Sequence, residues 1–178
     1  MKKNQEERQQ TDSLMTMLDS SDKIFLSFDT ARVKNILDST DHKVELIKEY
    51  SPDSLDRETT ILLSDYLHIH QALEKFPGER KNILPQISFS LKQLRDMKHD
   101  LTDGAMSKEE FAKYFPQELK SISELNSYIR MTSSKVNLLV TQYDLMKSKV
   151  DSFITTLDTL HEHEKKNPDL NQGNIDTD

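Results

Sequence analysis

At 178 residues, with 34% hydrophobic and 31% charged side chains, the chain has the length of one domain but a thin supply of apolar material, which suits helices that each bury a single stripe. A net charge of -7 argues against a nucleic-acid binder and against docking on anionic lipid, while the lack of cysteine excludes disulfides, thiolate metal sites and a cysteine nucleophile. Three glycines and five prolines leave little turn chemistry for a many-stranded β fold, so the chain reads as all-α.

Residues 1–12 form a polar N-terminal segment that either frays or extends the first helix outward. Met1-Lys2-Lys3 resembles the start of a secretory signal, but Asn4 to Gln10 is polar where an apolar region should follow. No stretch approaches the roughly 18 apolar residues of a membrane span. As written, the chain reads as soluble and unexported, and one that began after a removed signal would look the same.

A helical bundle domain is predicted over 13–164. The first run, 6–50, carries Leu14, Leu18, Phe25 and Phe28 at heptad spacing, then resumes one residue out of step with Val33, Leu37, Val44 and Ile47. That slip rotates the stripe by about 100°, so an adjustment in winding is expected near 29–32. Alternatively, Asp19 to Asp22 marks a helix restart with Ser21 or Asp22 as N-cap. The link Tyr50 to Ser54 contains Pro52, and Asp53 or Ser54 can cap the next helix.

The second run, 54–102, keeps one four-three alternation from Leu55 through Tyr66, Ile69, Leu73, Phe76, Ile83, Ile87 and Leu94 to Leu101. The phase does not slip across Pro77-Gly78, which predicts one helix kinked near 77–85 rather than a reversal. Gly104 suits a left-handed helix stop, and Ser107 with Glu110 fits a capping box. The third run, 107–163, has its seam from Phe115 and Leu119 through Ile122, Ile129, Val136, Tyr143 and Val150 to Leu157 and His161, with Pro116 bending its first turns. From Lys165 to Asp178 the chain reads as a disordered acidic tail.

At 1.5 Å per residue the three runs give rods of roughly 67, 73 and 85 Å. Comparable lengths and short links predict an elongated antiparallel three-helix bundle like a spectrin repeat; a reversal at Pro77-Gly78 would instead give a four-helix bundle. Folding the runs back on one another places Asp19 to Asp22, Pro77 to Pro85 and Thr132 to Ser134 near one level. Such a waist either bends and admits a partner, or merely curves.

Asp103 to Phe111 looks like the second half of an EF-hand loop, but the first two ligand positions would be His99 and Leu101, so the stretch reads as a glycine stop followed by a capping box. His68 and His70 point to different helix faces. His161 with Glu164, and His99 with Asp103, have workable spacing but lack further ligands. Glycine-rich phosphate loops, nucleophile elbows and zinc-protease motifs do not occur. The sequence therefore assigns no catalytic, cofactor-binding or metal residue and no cofactor, and reads as a non-enzyme. Arg80, Asn126, Ser133 and Lys147 at seam positions read as register-setting or snorkelling side chains.

Asp56-Arg57-Glu58, Leu63-Ser64-Asp65-Tyr66, Ser88 to Leu94, His99-Asp100-Leu101 and the Gly104 to Glu110 turn together resemble small all-helical lipoproteins of the bacterial envelope that lack an assigned function, over residues 14–160. The resemblance implies a removed lipidated signal peptide and an extracytoplasmic location; the alternative location is cytoplasmic. The chain departs from that pattern in having no lipobox cysteine, so a lipid anchor is implied by kinship only. The expectation is a non-enzymatic interaction or spacer protein with an unidentified protein partner and an open oligomeric state. The alternative is a ligand-sensing domain that holds a small molecule at the waist.

Overall fold

A computed structural model of the chain describes residues 4–50 and 55–166, and among these the secondary structure is entirely helical. Five helices follow in order: α1 (Gln5–Leu26), α2 (Thr30–Tyr50), α3 (Arg57–Glu74), α4 (Phe76–Asp103) and α5 (Lys108–Lys166). The first two predicted runs are each divided in two, and the third is a single helix.

Both divisions have local causes. Between α1 and α2 the break covers Ser27, Phe28 and Asp29, slightly before the predicted adjustment, and it absorbs the one-residue slip in the apolar stripe. Asp19 to Asp22 is interior to α1, so the alternative restart there does not occur. Between α3 and α4 the break is Lys75 alone, whose backbone stays right-handed helical (φ -76, ψ -26). Pro77 has no N–H to offer the Leu73 carbonyl, which interrupts the ladder one turn earlier, and Phe76-Pro77 then occupies the first positions of α4, where a missing donor is harmless. Pro85 and Pro116 leave their helices unbroken. Lys81 and Ala112, whose carbonyls those prolines orphan, are exposed to water.

The chain folds as two compact units. One comprises the chain up to Ala31 with Glu74–Leu138, and the other comprises Arg32–Leu73 with the chain from Leu139 onward. In the first, α1 packs along α4. Phe25 and Phe76 meet edge to face with centroids 6.3 Å apart, and the Phe28 ring lies 5.1 Å from that of Phe76. Ile83, Ile87, Leu94, Ile122 and Ile129 are buried in the same unit.

Residues 5–12 belong to α1. They are tied down: Asn4 Nδ2 donates to the Leu101 carbonyl (3.2 Å) and more weakly to that of Met106 (3.4 Å), Glu7 pairs with Lys108 (2.8 Å), and Asp12 pairs with Lys98 (2.6 Å). Asn4 adopts φ 61, a left-handed conformation that asparagine tolerates better than most residues.

The turn from α4 to α5 follows the sequence expectation. Gly104 ends α4 with φ 75. Ser107 N–H donates to Glu110 Oε2 (2.8 Å), and Glu110 N–H donates to Ser107 Oγ (3.2 Å), closing a reciprocal capping box. The Ser107 N–H, and after it the Ser107 hydroxyl, hold the Glu110 carboxyl below its ordinary range. Beside the turn, Phe111 stacks on Phe115 with centroids 4.6 Å apart, against Met97 and Leu101.

In the second unit, Asp53 and Ser54 lie outside the described residues, and Asp56 caps α3. Its carboxylate accepts from the Thr59 hydroxyl (2.6 Å) and the Thr59 N–H (2.9 Å), which lower its pKa. Val33, Ile36, Val44 and Ile47 of α2 are buried, as are Leu63, Tyr66, Ile69 and Leu73 of α3 and Tyr143, Val150 and Ile154 of α5. Ile36, not Leu37, takes the core position between Val33 and Val44. The predicted tail lies almost wholly beyond the described residues.

Candidate interaction surface

Helix α5 carries two lines of large side chains at seven-residue spacing. Ile122, Ile129, Val136, Tyr143 and Val150 form the inner line, each 2% exposed or less. Nine residues after Ile122 begins the outer line, Met131, Leu138 and Leu145, at 61%, 58% and 76% exposure. Nine residues at 3.6 per turn amount to two and a half turns, so the outer line faces away from the buried one. Tyr128, partly exposed, adjoins Met131 one turn earlier.

Three residues after each outer apolar residue stands a small hydroxyl residue: Ser134, Thr141 and Ser148, with Ser127 preceding the set. All four are exposed. The outer face therefore alternates a bulky apolar residue with a small polar one, heptad after heptad. Arg130, Lys135, Gln142 and Lys149 border it. An exposed apolar residue taken singly is ordinary, whereas this periodic series has the pattern of a helix-pairing seam.

A separate concavity lies in the first unit. Pro85, Gln86, Phe89, Ser90 and Gln93 of α4, with Glu118, Ser121 and Leu125 of α5, line a groove of about 470 Å³. Phe89 stands 62% exposed at this groove. Leu119, expected on the buried seam, is exposed instead, and Phe111 and Leu125 take core positions in that stretch.

The second unit holds a polar cluster inside its core. The Thr40 hydroxyl lies 3.0 Å from the Leu37 carbonyl and 2.8 Å from His70 Nδ1, sharing a buried hydrogen bond with the imidazole. His70 Nε2 lies 3.6 Å from Asp41 Oδ1. Tyr143 and Ser39 share a hydroxyl hydrogen bond of 3.0 Å, and the Tyr66 ring lies 6.1 Å from that of Tyr143. Burial raises the Tyr66 phenol well above its ordinary range, and the nearby Tyr143 and Asp151 add to the effect. Lys43 pairs with Asp151 across α2 and α5, and Arg32 with Asp144. These groups tie α2, α3 and α5 together.

The histidine pairs read from the sequence separate as follows. His68 is exposed while His70 is buried, so the two do face different surroundings. His99 Nε2 is 3.4 Å from Asp103 Oδ2, on solvated surface. The side chains of His161 and Glu164 lie outside those described. Among the described residues, no group of three or more His, Asp or Glu side chains converges as metal ligands would. Asn126 meets the Ser21 hydroxyl, which makes it a register contact between α1 and α5; Ser133 is buried, Arg80 is partly buried and Lys147 is exposed.

Sequence reasoning missed His70, Thr40 and the outer face of α5. His70 shares a second line with Leu63, Tyr66 and Leu73, a signal that was available. The outer line was available too, since Met131, Leu138 and Leu145 recur every seven residues; attention to the longer inner seam hides it. Among the described residues, no helix is long and apolar enough to cross a membrane. Comparison with known protein families, with characterised proteins and with solved structures finds no match to this chain.

Proposed function

We propose that this chain is a non-enzymatic helical interaction or spacer protein whose contact surface is the outer face of α5. The carrying observation is the heptad series Met131, Leu138 and Leu145, each more than half exposed. Leaving three such residues in water forgoes roughly 1.5–3 kcal/mol apiece of burial, which a partner helix would recover. In this reading each unit is a three-helix bundle, α1 and α4 packing with the first part of α5, and α2 and α3 with the rest. The envelope resemblance supports tethering through the N-terminus to a membrane, outside the cytoplasm.

The test is a photo-crosslinking amino acid placed at 138, at 145 and, as control, at the exposed α2 position Lys34, in the native cell. Adducts at 138 and 145 with none at 34 are expected. Equal adduct yields at all three positions, or none at any, overturn the assignment of this face.

A second reading rests on the groove between α4 and α5. Its apolar elements, Pro85, Phe89 and Leu125, and its polar ones, Gln86, Gln93 and Glu118, are the mixture a small-molecule site uses. A metabolite panel that raises the melting temperature of the full chain, with the rise abolished by Phe89→Ser, favours this ligand-sensing role.

A further inference from the structure

We infer that the occupant of the outer face of α5 is the same face of a second copy, paired antiparallel. The inference rests on the interaction reading above and names its partner. Two features of the face select this occupant.

The first is size matching. With Met131, Leu138 and Leu145 at one seam position and Ser127, Ser134, Thr141 and Ser148 at the other, the direction of pairing decides what meets what. A parallel pair stacks like on like: Leu138 on Leu138 and Ser134 on Ser134, giving alternate overfilled and polar layers. An antiparallel pair sets each position of one kind against the other kind. Leu138 then covers Thr141 of the second copy, Leu145 covers Ser134, and Met131 covers Ser148. Every layer holds one large and one small side chain, and the small ones allow the backbones to approach closely.

The second is charge. A parallel pair brings Arg130 of one copy against Lys135 of the other. The antiparallel register just given sets Lys135 beside Gln142, and Lys149 beside the Tyr128 ring, where a cation finds the face of an aromatic. Shifting that register by one heptad would bring the two copies of Lys135 together. Like-charge repulsion therefore disfavours that shifted register, while size matching sets the direction, because a parallel pair would also bring Asp144 of one copy against Lys149 of the other.

Only six apolar side chains enter the seam from the two copies, so the interface falls at the small end of specific contacts and the dimer is a readily dissociating one. Sedimentation equilibrium of the full chain from roughly 1 µM to 1 mM should show a monomer–dimer transition in that range. Leu138→Glu with Leu145→Glu should weaken it at least roughly tenfold, while the helical circular dichroism stays unchanged because both side chains are solvated.

Direction is read separately. The chain has no cysteine, so spin labels on Glu124→Cys and on Gln142→Cys are unique. The antiparallel register predicts separations of roughly 45–50 Å between the two labels at 124 and roughly 12 Å at 142; a parallel dimer gives roughly 10 Å at both. A chain monomeric throughout, a dimer untouched by the double substitution, or equal distances at 124 and 142 each overturn the proposal. Monomeric behaviour in solution with crosslinks to a different protein at 138 would sink self-pairing alone, whereas absence of crosslinks in the cell would sink the interaction reading.

Discussion

The inner and outer faces of α5 share a period and differ in everything that surrounds it. Ile122, Ile129, Val136, Tyr143 and Val150 recur every seven residues and are sealed; Met131, Leu138 and Leu145 recur every seven residues and stand in water. Periodicity reports that a helix face is suited to pairing and carries no information on whether the partner lies in the same chain. The intervening residues carry that information. The inner line has Leu125, Thr132 and Leu139 between its members, all buried, while the outer line has exposed serines and a threonine. The inner face is buried at both seam positions and mostly apolar at each, while the outer face is apolar at only one.

Truncation separates the faces most sharply. Ile129→Ala should cost roughly 2–5 kcal/mol in urea denaturation, because it leaves a cavity in a sealed site. Leu138→Ala, on the same helix, should stay within roughly 0.5 kcal/mol when measured on dilute monomer. Equal losses would show that the outer face is covered within the monomer, and the distinction would fail.

The polar members of the core come next. His70→Ala removes one of the two partners of the buried Thr40 hydroxyl and should destabilise the second unit by about 1–3 kcal/mol, read as earlier exchange of the α2 and α3 amides. At the start of α5, Ser107→Ala should cost about 1 kcal/mol through loss of the cap. Gly104→Ala should cost about 1 kcal/mol from the left-handed backbone alone, since the space for a methyl group is open.

Acid should act on the same turn. The Glu110 carboxyl is held below its ordinary value by the Ser107 N–H and hydroxyl, and Glu7 likewise by Lys108. A carboxyl whose folded pKa is depressed contributes stability that is complete above its unfolded value, 4.5, and lost as pH falls through the folded one. Lys108 shifts the opposite way, raised by Glu7, so its contribution disappears only as pH climbs past 10.5. Amide exchange over residues 104–112 should therefore accelerate below pH 4.5 before the inner seam responds, and Glu110→Gln should remove part of that dependence, the Glu7–Lys108 pair supplying the rest.

The sequence carried the helical class, the Gly104 stop, the Ser107–Glu110 box and most of the α4 seam, because each depends on residues within a turn or two of one another. It carried less of what depends on distant parts of the chain. The cap of α3 lies at Asp56, past the expected Asp53 or Ser54, since Thr59 supplies both its hydroxyl and its N–H to that carboxylate. A kink expected near 77–85 is a ladder break at Lys75, because the proline acts on the carbonyl four residues before it. Polar residues in the core, Thr40 and His70, are chosen by one another across two helices, and no local pattern announces such a match.

The outer face of α5 is tested most directly by hydroxyl-radical labelling of Met131, compared between the dilute purified chain and the chain in its native cell. Strong labelling in dilute solution and protection in the cell is the predicted result. Equal labelling in the two settings would mean that the face remains in water where the protein works, and would contradict its role as a contact surface.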